Sequence, residues 1–260
     1  MKKIRVCIYS LTGCEGCSLK LINTLMEYSE LANIIDIHGH LIDSDDVIEC
    51  DIAFIDGAIA TEHDLSLVRE IREKSRIVVA LGSCANFLGV IAIANHVSIE
   101  KSVYSVYGRP LYIKLENIYM PVDRVIRVDY YIPGCPPIEE EIYTFITSII
   151  IGKSFSLPDS PVCHECKALG LPCMLKKGKP CLGFITRSGC NALCIRYGMS
   201  CWGCRGVVDE HSIEKTITTF KEHGISLKDL RDLIEIYLLN TPLGKTLARK
   251  EVQNHEHTHT

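Results

Sequence analysis

The chain has 260 residues, 47% of them hydrophobic, enough for one sizeable domain and a smaller one. A formal net charge of −4 argues against the basic footprint of a nucleic-acid binder. The longest apolar run, around Ile146 to Ile151, is too short for a membrane span and is flanked by Glu139, Glu140, Glu141 and Lys153. The start, Met1-Lys2-Lys3-Ile4-Arg5-Val6, lacks the apolar stretch and cleavage site of a signal peptide, so a cytoplasmic protein is expected.

In chain order, Ile4 to Tyr9 reads as a buried strand, and Ser18 to Leu31 has helical spacing through Leu19, Leu21, Ile22, Leu25 and Met26. A second strand is expected within Ile34 to Ile42 and a third at Asp51 to Asp56. Glu62 to Lys74 reads as a helix, Arg76 to Leu81 as a fourth strand and Val125 to Ile132 as a fifth. A helix from about Pro136 to Ile151 follows. Strands alternating with helices predict an α/β fold with a mostly parallel sheet covered on both faces. From Ser154 to Val208 the chain is rich in Gly, Pro and Cys and poor in apolar runs, so inorganic cross-links are expected to hold it. Ser212 to His223 and Ser226 to Leu239 read as short helices, with Ser226 and Asp229 as a cap signal. The last ten residues are polar, and His255, His257 and His259 are read as part of a mobile tail rather than a metal site. The expected parts are thus 1–153, 154–208 and 209–260.

The 14 cysteines carry the chemistry. In a reducing compartment dense cysteine points to metal more than to disulfides, and the chain is too large to need disulfide staples. Cys14 and Cys17 follow the first strand, Cys84 the fourth and Cys135 the fifth. In a parallel sheet these loops all leave from the carboxyl edge, where open α/β sheets bind ligands. Four thiolates gathered there suit one [4Fe–4S] cluster. Neighbouring glycines let backbone N–H groups approach the sulfides. Asp56 ends the third strand at the same edge and could lie near this cluster, although a turn aspartate is the favoured reading.

The second region has the pattern C-x2-C-x6-C-x7-C, then C-x3-C-x6-C-x2-C. Its quartets are Cys163, Cys166, Cys173 and Cys181, then Cys190, Cys194, Cys201 and Cys204, each suited to a [4Fe–4S] cluster. Grouping by sequence order is a hypothesis, because a ligand is sometimes lent to a neighbouring site. Two structural zinc sites are the rival reading, although the spacing does not fit the usual zinc ribbon. Lys176, Lys177, Lys179, Arg187, Arg196 and Arg205 crowd this segment, where they could offset cluster charge or steer a partner, but most read as a solvated face. Trp202 is equally a shield for a cluster or simple packing. His164 is an alternative ligand made unnecessary by its flanking cysteines. Cys7 and Cys50 are read as structural, which leaves twelve ligands.

These residues resemble the small subunit of [NiFe] hydrogenases, most nearly the cytoplasmic archaeal sulfhydrogenase delta subunit, in the group of viologen- and deazaflavin-reducing enzymes. The resemblance rests on Tyr9-Ser10-Leu11-Thr12-Gly13-Cys14-Glu15-Gly16-Cys17, Gly82-Ser83-Cys84-Ala85, Gly134-Cys135-Pro136-Pro137 and the stretch from Pro161 to Gly206. Departures are Phe184 after Leu182-Gly183 and Ile195 after Cys194, where the family usually has Pro, and Asp56, where many members carry Glu. Cys163 stands where periplasmic relatives have a distal histidine.

The resemblance implies a flavodoxin-like sheet domain with a proximal cluster, then a loop-rich domain with a medial cluster (Cys190, Cys194, Cys201, Cys204) and a distal one (Cys163, Cys166, Cys173, Cys181). It implies a large subunit that holds the nickel–iron site, with no catalytic residue in this chain. Electrons would pass to a flavin-containing, diaphorase-type partner reducing NAD(P), or to another carrier. The chain itself has no G-x-G-x-x-G after its first strand. Two alternatives stand beside this reading: an iron–sulfur relay in a hydrogenase-like complex without hydrogen chemistry, and a zinc-binding scaffold.

Overall fold

The computed structural model describes residues 3–44, 46–109, 119–208 and 212–247. It divides into two compact units, Met1–Leu157 and Pro158–Thr260. The histidine-bearing tail lies outside the described residues.

The first unit is built on five parallel strands: β1 (Ile4–Ser10), β2 (Ile35–Gly39), β3 (Cys50–Asp56), β4 (Ser75–Leu81) and β5 (Tyr130–Ile132). Their order, β2-β1-β3-β4-β5, is that of flavodoxin-like doubly wound sheets. The strands read as continuous apolar runs because both faces are buried. Along β1, Val6 and Ile8 face one core and Cys7 and Tyr9 the other. The first core lies under α1 (Gly16–Glu27) and α5, which runs from Glu139 to Ile150. At its centre Phe145 is buried edge-on against Phe54, Tyr130 and Phe155, with ring centroids 5.2–5.7 Å apart. The opposite core lies under α2 (Glu62–Lys74), whose start is fixed by a capping box between Thr61 and Asp64.

Several boundaries differ from expectation for identifiable reasons. The helix expected to reach Leu31 ends at Glu27, because Tyr28 leaves helical geometry and stacks on Tyr143. The strand expected from Val125 begins only at Tyr130. Val122–Arg124 forms a 3₁₀ turn, and the Asp129 carboxylate takes the Val78 N–H at 2.8 Å and Arg72 at 2.5 Å. Two helices stand where none was expected: α3 (Gly82–Phe87) and α4 (Ile99–Tyr107). Cys7 and Cys50 are joined in a disulfide. The general argument against disulfides therefore fails for this pair, whose Cα atoms stand 6.1 Å apart on neighbouring strands, within bridging range.

The second unit has little regular structure before its end. Short helices α6 (Val162–Ala168) and α7 (Leu193–Arg196) sit among turns, and single bridges join Pro161 to Arg187 and Thr186 to Val207. Helices α8 (Ile213–Glu222) and α9 (Leu227–Tyr237) belong to this unit. The expected Ser226–Asp229 signal is a complete capping box. Phe220 packs 6.1 Å from Phe184, and a Cβ on Gly203 would meet Leu238 at 3.0 Å. These helices thus give the cysteine-rich segment an apolar cover that sequence reasoning did not foresee.

Candidate metal centres

Cys14, Cys17, Cys84 and Cys135 all lie at the carboxyl edge of the sheet, on the loop after β1, the first turn of α1, α3 and the loop after β5. Backbone hydrogen bonds tie these loops together. Thr12 and Ala58 exchange bonds of 3.2 and 2.8 Å, and the Ser83 N–H donates to the Gly134 carbonyl at 2.9 Å. Gly82 adopts φ +82°, and a Cβ there would overlap the Cys17 sulfur, so only glycine leaves room for that thiol.

As bare thiolates the four groups would repel one another. Burial drives the Cys17 thiol far up, and Asp56, Cys84 and Cys135 push it further. Cys84 is pushed up to about 12, first by burial and then by Cys135, Asp56 and Cys14. Such a group does not ionise on its own. A coordinated metal deprotonates a thiol outright, so this donor set fits an iron–sulfur centre. Asp56 does more than shape a turn. It is 3% exposed, and its carboxylate accepts the Ser18 N–H at 3.0 Å and hydroxyl at 3.1 Å, in the first turn of α1 beside Cys17.

In the second unit, Cys163 and Cys166 project from α6, and Cys173 and Cys181 follow on loops. Cys163 is pushed up to about 12 by burial, then by Cys181, Cys166 and Cys173. Of the other four, Cys194 is on α7, the Leu193 N–H returns to the Cys190 carbonyl at 3.1 Å, and Cys201 and Cys204 flank Gly203. The buried Cys201 is raised well above the ordinary thiol value by burial, while a Thr186 hydrogen bond opposes the shift. The two groups also touch. The Cys201 N–H donates to the Cys181 sulfur at 3.3 Å, a backbone-to-sulfur bond of the kind that tunes iron–sulfur centres. Among the described residues, no three Cys, His, Asp or Glu side chains are grouped as they would be around one metal ion.

His164 is exposed, and Trp202 is 41% exposed. Lys176, Lys177, Lys179 and Arg196 are solvated as expected. Arg187 and Arg205 are not. Arg187 is half-buried and reaches the Pro158 carbonyl at 3.0 Å. Arg205 is 2% exposed, and its Nε donates to the Ser188 carbonyl at 2.9 Å. Glu165 was also missed. Its Oε1 accepts the Gly189 N–H at 2.7 Å, and its Oε2 accepts the Ala192 N–H at 3.0 Å. The only sequence signal for either residue was a charge beside a ligand cysteine.

Residues 14–149 match the family described as NADH ubiquinone oxidoreductase, 20 Kd subunit. The chain is 31% identical over 278 residues to a subunit of the vhu F420-non-reducing hydrogenase of Methanococcus voltae, covering 93% of this chain and 97% of that one. It is 36% identical over 222 residues to sulfhydrogenase 2 subunit delta of Pyrococcus furiosus, covering 83% and 91%. The structure superposes on a chain of an NAD+-reducing [NiFe]-hydrogenase solved in the H2-reduced state, with a TM-score of 0.55 and 32% identity, covering 60% of this chain and 96% of that one. Among the described residues no helix is long and apolar enough to cross a membrane. The chain therefore belongs to the 20 kDa NADH ubiquinone oxidoreductase subunit family, as an iron–sulfur small subunit of the [NiFe] hydrogenase type.

Proposed function

We propose that this chain is the electron-relay subunit of a cytoplasmic [NiFe] hydrogenase and holds three [4Fe–4S] clusters. Cys14, Cys17, Cys84 and Cys135 hold the proximal one. Cys190, Cys194, Cys201 and Cys204 hold the medial one, and Cys163, Cys166, Cys173 and Cys181 the distal one. When bound, such clusters supply one-electron steps without substrate chemistry in this chain. The observation that carries the reading is the placement of four thiols from three strand-to-helix connections at one sheet edge. The sheet positions these thiols, Gly82 leaves room for Cys17, and Asp56 anchors the first turn of α1.

The partners in this reading are a large subunit bearing the nickel–iron site, next to the proximal quartet, and an acceptor module beyond the distal quartet. The acceptor is a flavin-containing, NAD(P)-reducing module or another carrier. The solved relative named as NAD+-reducing supports the former. The second reading, a relay without hydrogen chemistry, draws support from the family's description as a subunit of an NADH-oxidising complex. Exposing the anaerobic complex to dihydrogen separates the two. The first predicts reduced-cluster signals by electron paramagnetic resonance. Clusters that reduce with dithionite but stay oxidised under hydrogen favour the second.

A further inference from the structure

Glu165 lies on α6 between two cysteines of one quartet, yet its hydrogen bonds go to the other. Both its carboxylate oxygens accept backbone N–H groups, from Gly189 at 2.7 Å and Ala192 at 3.0 Å. These donors bracket Cys190, whose sulfur stands 3.8 Å from Oε2. The backbone between them is unusual. Asn191 and Ala192 are consecutive non-glycine residues at φ 50° and 48°, a left-handed pair that persists only where surroundings enforce it. Ala192 is fully buried and opens α7, which carries Cys194.

We infer that Glu165 is a positioning residue for the two outer quartets: its carboxylate fixes the turn that presents Cys190, and its negative charge, set between Cys190 and Cys166, makes both centres harder to reduce. This rests on the reading that the quartets hold iron–sulfur clusters. Adding an electron to a cluster adds negative charge, and a nearby fixed carboxylate opposes it most strongly where water is scarce. Glu165 directly precedes Cys166 on α6, and its Oε2 lies 3.8 Å from the Cys190 sulfur, so the carboxylate adjoins a cysteine of each quartet. Arg205, buried and bonded to the Ser188 and Arg187 carbonyls, brings a positive charge to the backbone just before Cys190.

The test is a redox titration of the anaerobic complex followed by electron paramagnetic resonance, with iron content measured on each sample, for wild type, Glu165→Gln and Glu165→Asp. The glutamine variant is expected to move two of the three cluster signals to higher potential and leave the third in place. The aspartate variant, which keeps the charge, is expected to stay near wild type. A fully loaded glutamine variant with unchanged potentials overturns the inference. If that variant loses iron, the aspartate variant decides. Full iron at wild-type potentials, or iron loss confined to the two outer centres, supports the role, whereas full iron at raised potentials or iron loss from all three centres overturns it. Wild-type protein without iron refutes the cluster reading itself, before any variant is compared.

Discussion

The two units hold their cysteines in opposite ways. In the first, a sheet buried on both faces stands on apolar packing around Phe54 and Phe145, and four thiols hang from its edge. In the second, the stretch that carries eight cysteines has few regular elements, and its loops are joined through single bridges, sulfur-directed bonds and Glu165. One unit is a framework that carries thiols. The other is a set of thiol-bearing loops with little framework of its own, part of it supplied by α8 and α9. The lesson is that, on the proposed reading, one quartet is added to a finished fold while the denser cysteines of the other unit complete theirs.

Iron removal is the hardest test of that contrast. Anaerobic chelation is expected to abolish hydrogen-exchange protection across 158–208, because a loop-rich segment without its metal loses its cross-links. Protection in β1, β3 and β4 is expected to remain. Equal loss in both units would break the comparison, and so would equal retention.

The Cys7–Cys50 disulfide sharpens the contrast from the other side. It closes a loop of sequence separation 43 within the sheet unit. Replacing Cys7 with Ser is expected to cost about 4 kcal/mol of stability in non-reducing urea unfolding, from the freed denatured chain. The iron content of the second unit should not change. An unaltered urea midpoint would mean that the bond does not form in solution.

The smallest effect concerns the cover on the second unit. Ser226→Ala removes one side of the capping box at the start of α9 and is expected to cost about 1 kcal/mol. Because α9 leads to Leu238, which sits against Gly203, that loss should appear as faster iron release from the second unit under mild denaturant. A release rate equal to wild type would show that the helices do not brace the loops.

Much of this was legible in the chain. The strands announced themselves by apolar runs, and a parallel sheet sends the loops of Cys14, Cys84 and Cys135 to one edge. The second region's cysteine spacing pointed to metal by itself. What stayed hidden depends on contacts between residues far apart in sequence. The shortening of β5 follows from Asp129 meeting Arg72 and Val78. The Cys7–Cys50 bond needs two neighbouring strands, and their pairing is not written in local pattern. Glu165 drew no reading of its own, and Arg205 was one of several basic residues read mostly as solvated, because only the fold brings one to the Cys190 turn and buries the other. Asp56 looked like a turn residue, because its bonds to Ser18 cross from β3 to α1.

The most direct test of the central claim is iron and acid-labile sulfide measured on anaerobically purified wild-type protein beside a Cys84→Ser variant. The account predicts about twelve irons and as much sulfide per wild-type chain, falling to about eight in the variant as the sheet-edge cluster is lost or degraded. Zinc in place of iron, or a wild-type count near eight that the variant leaves unchanged, would contradict it.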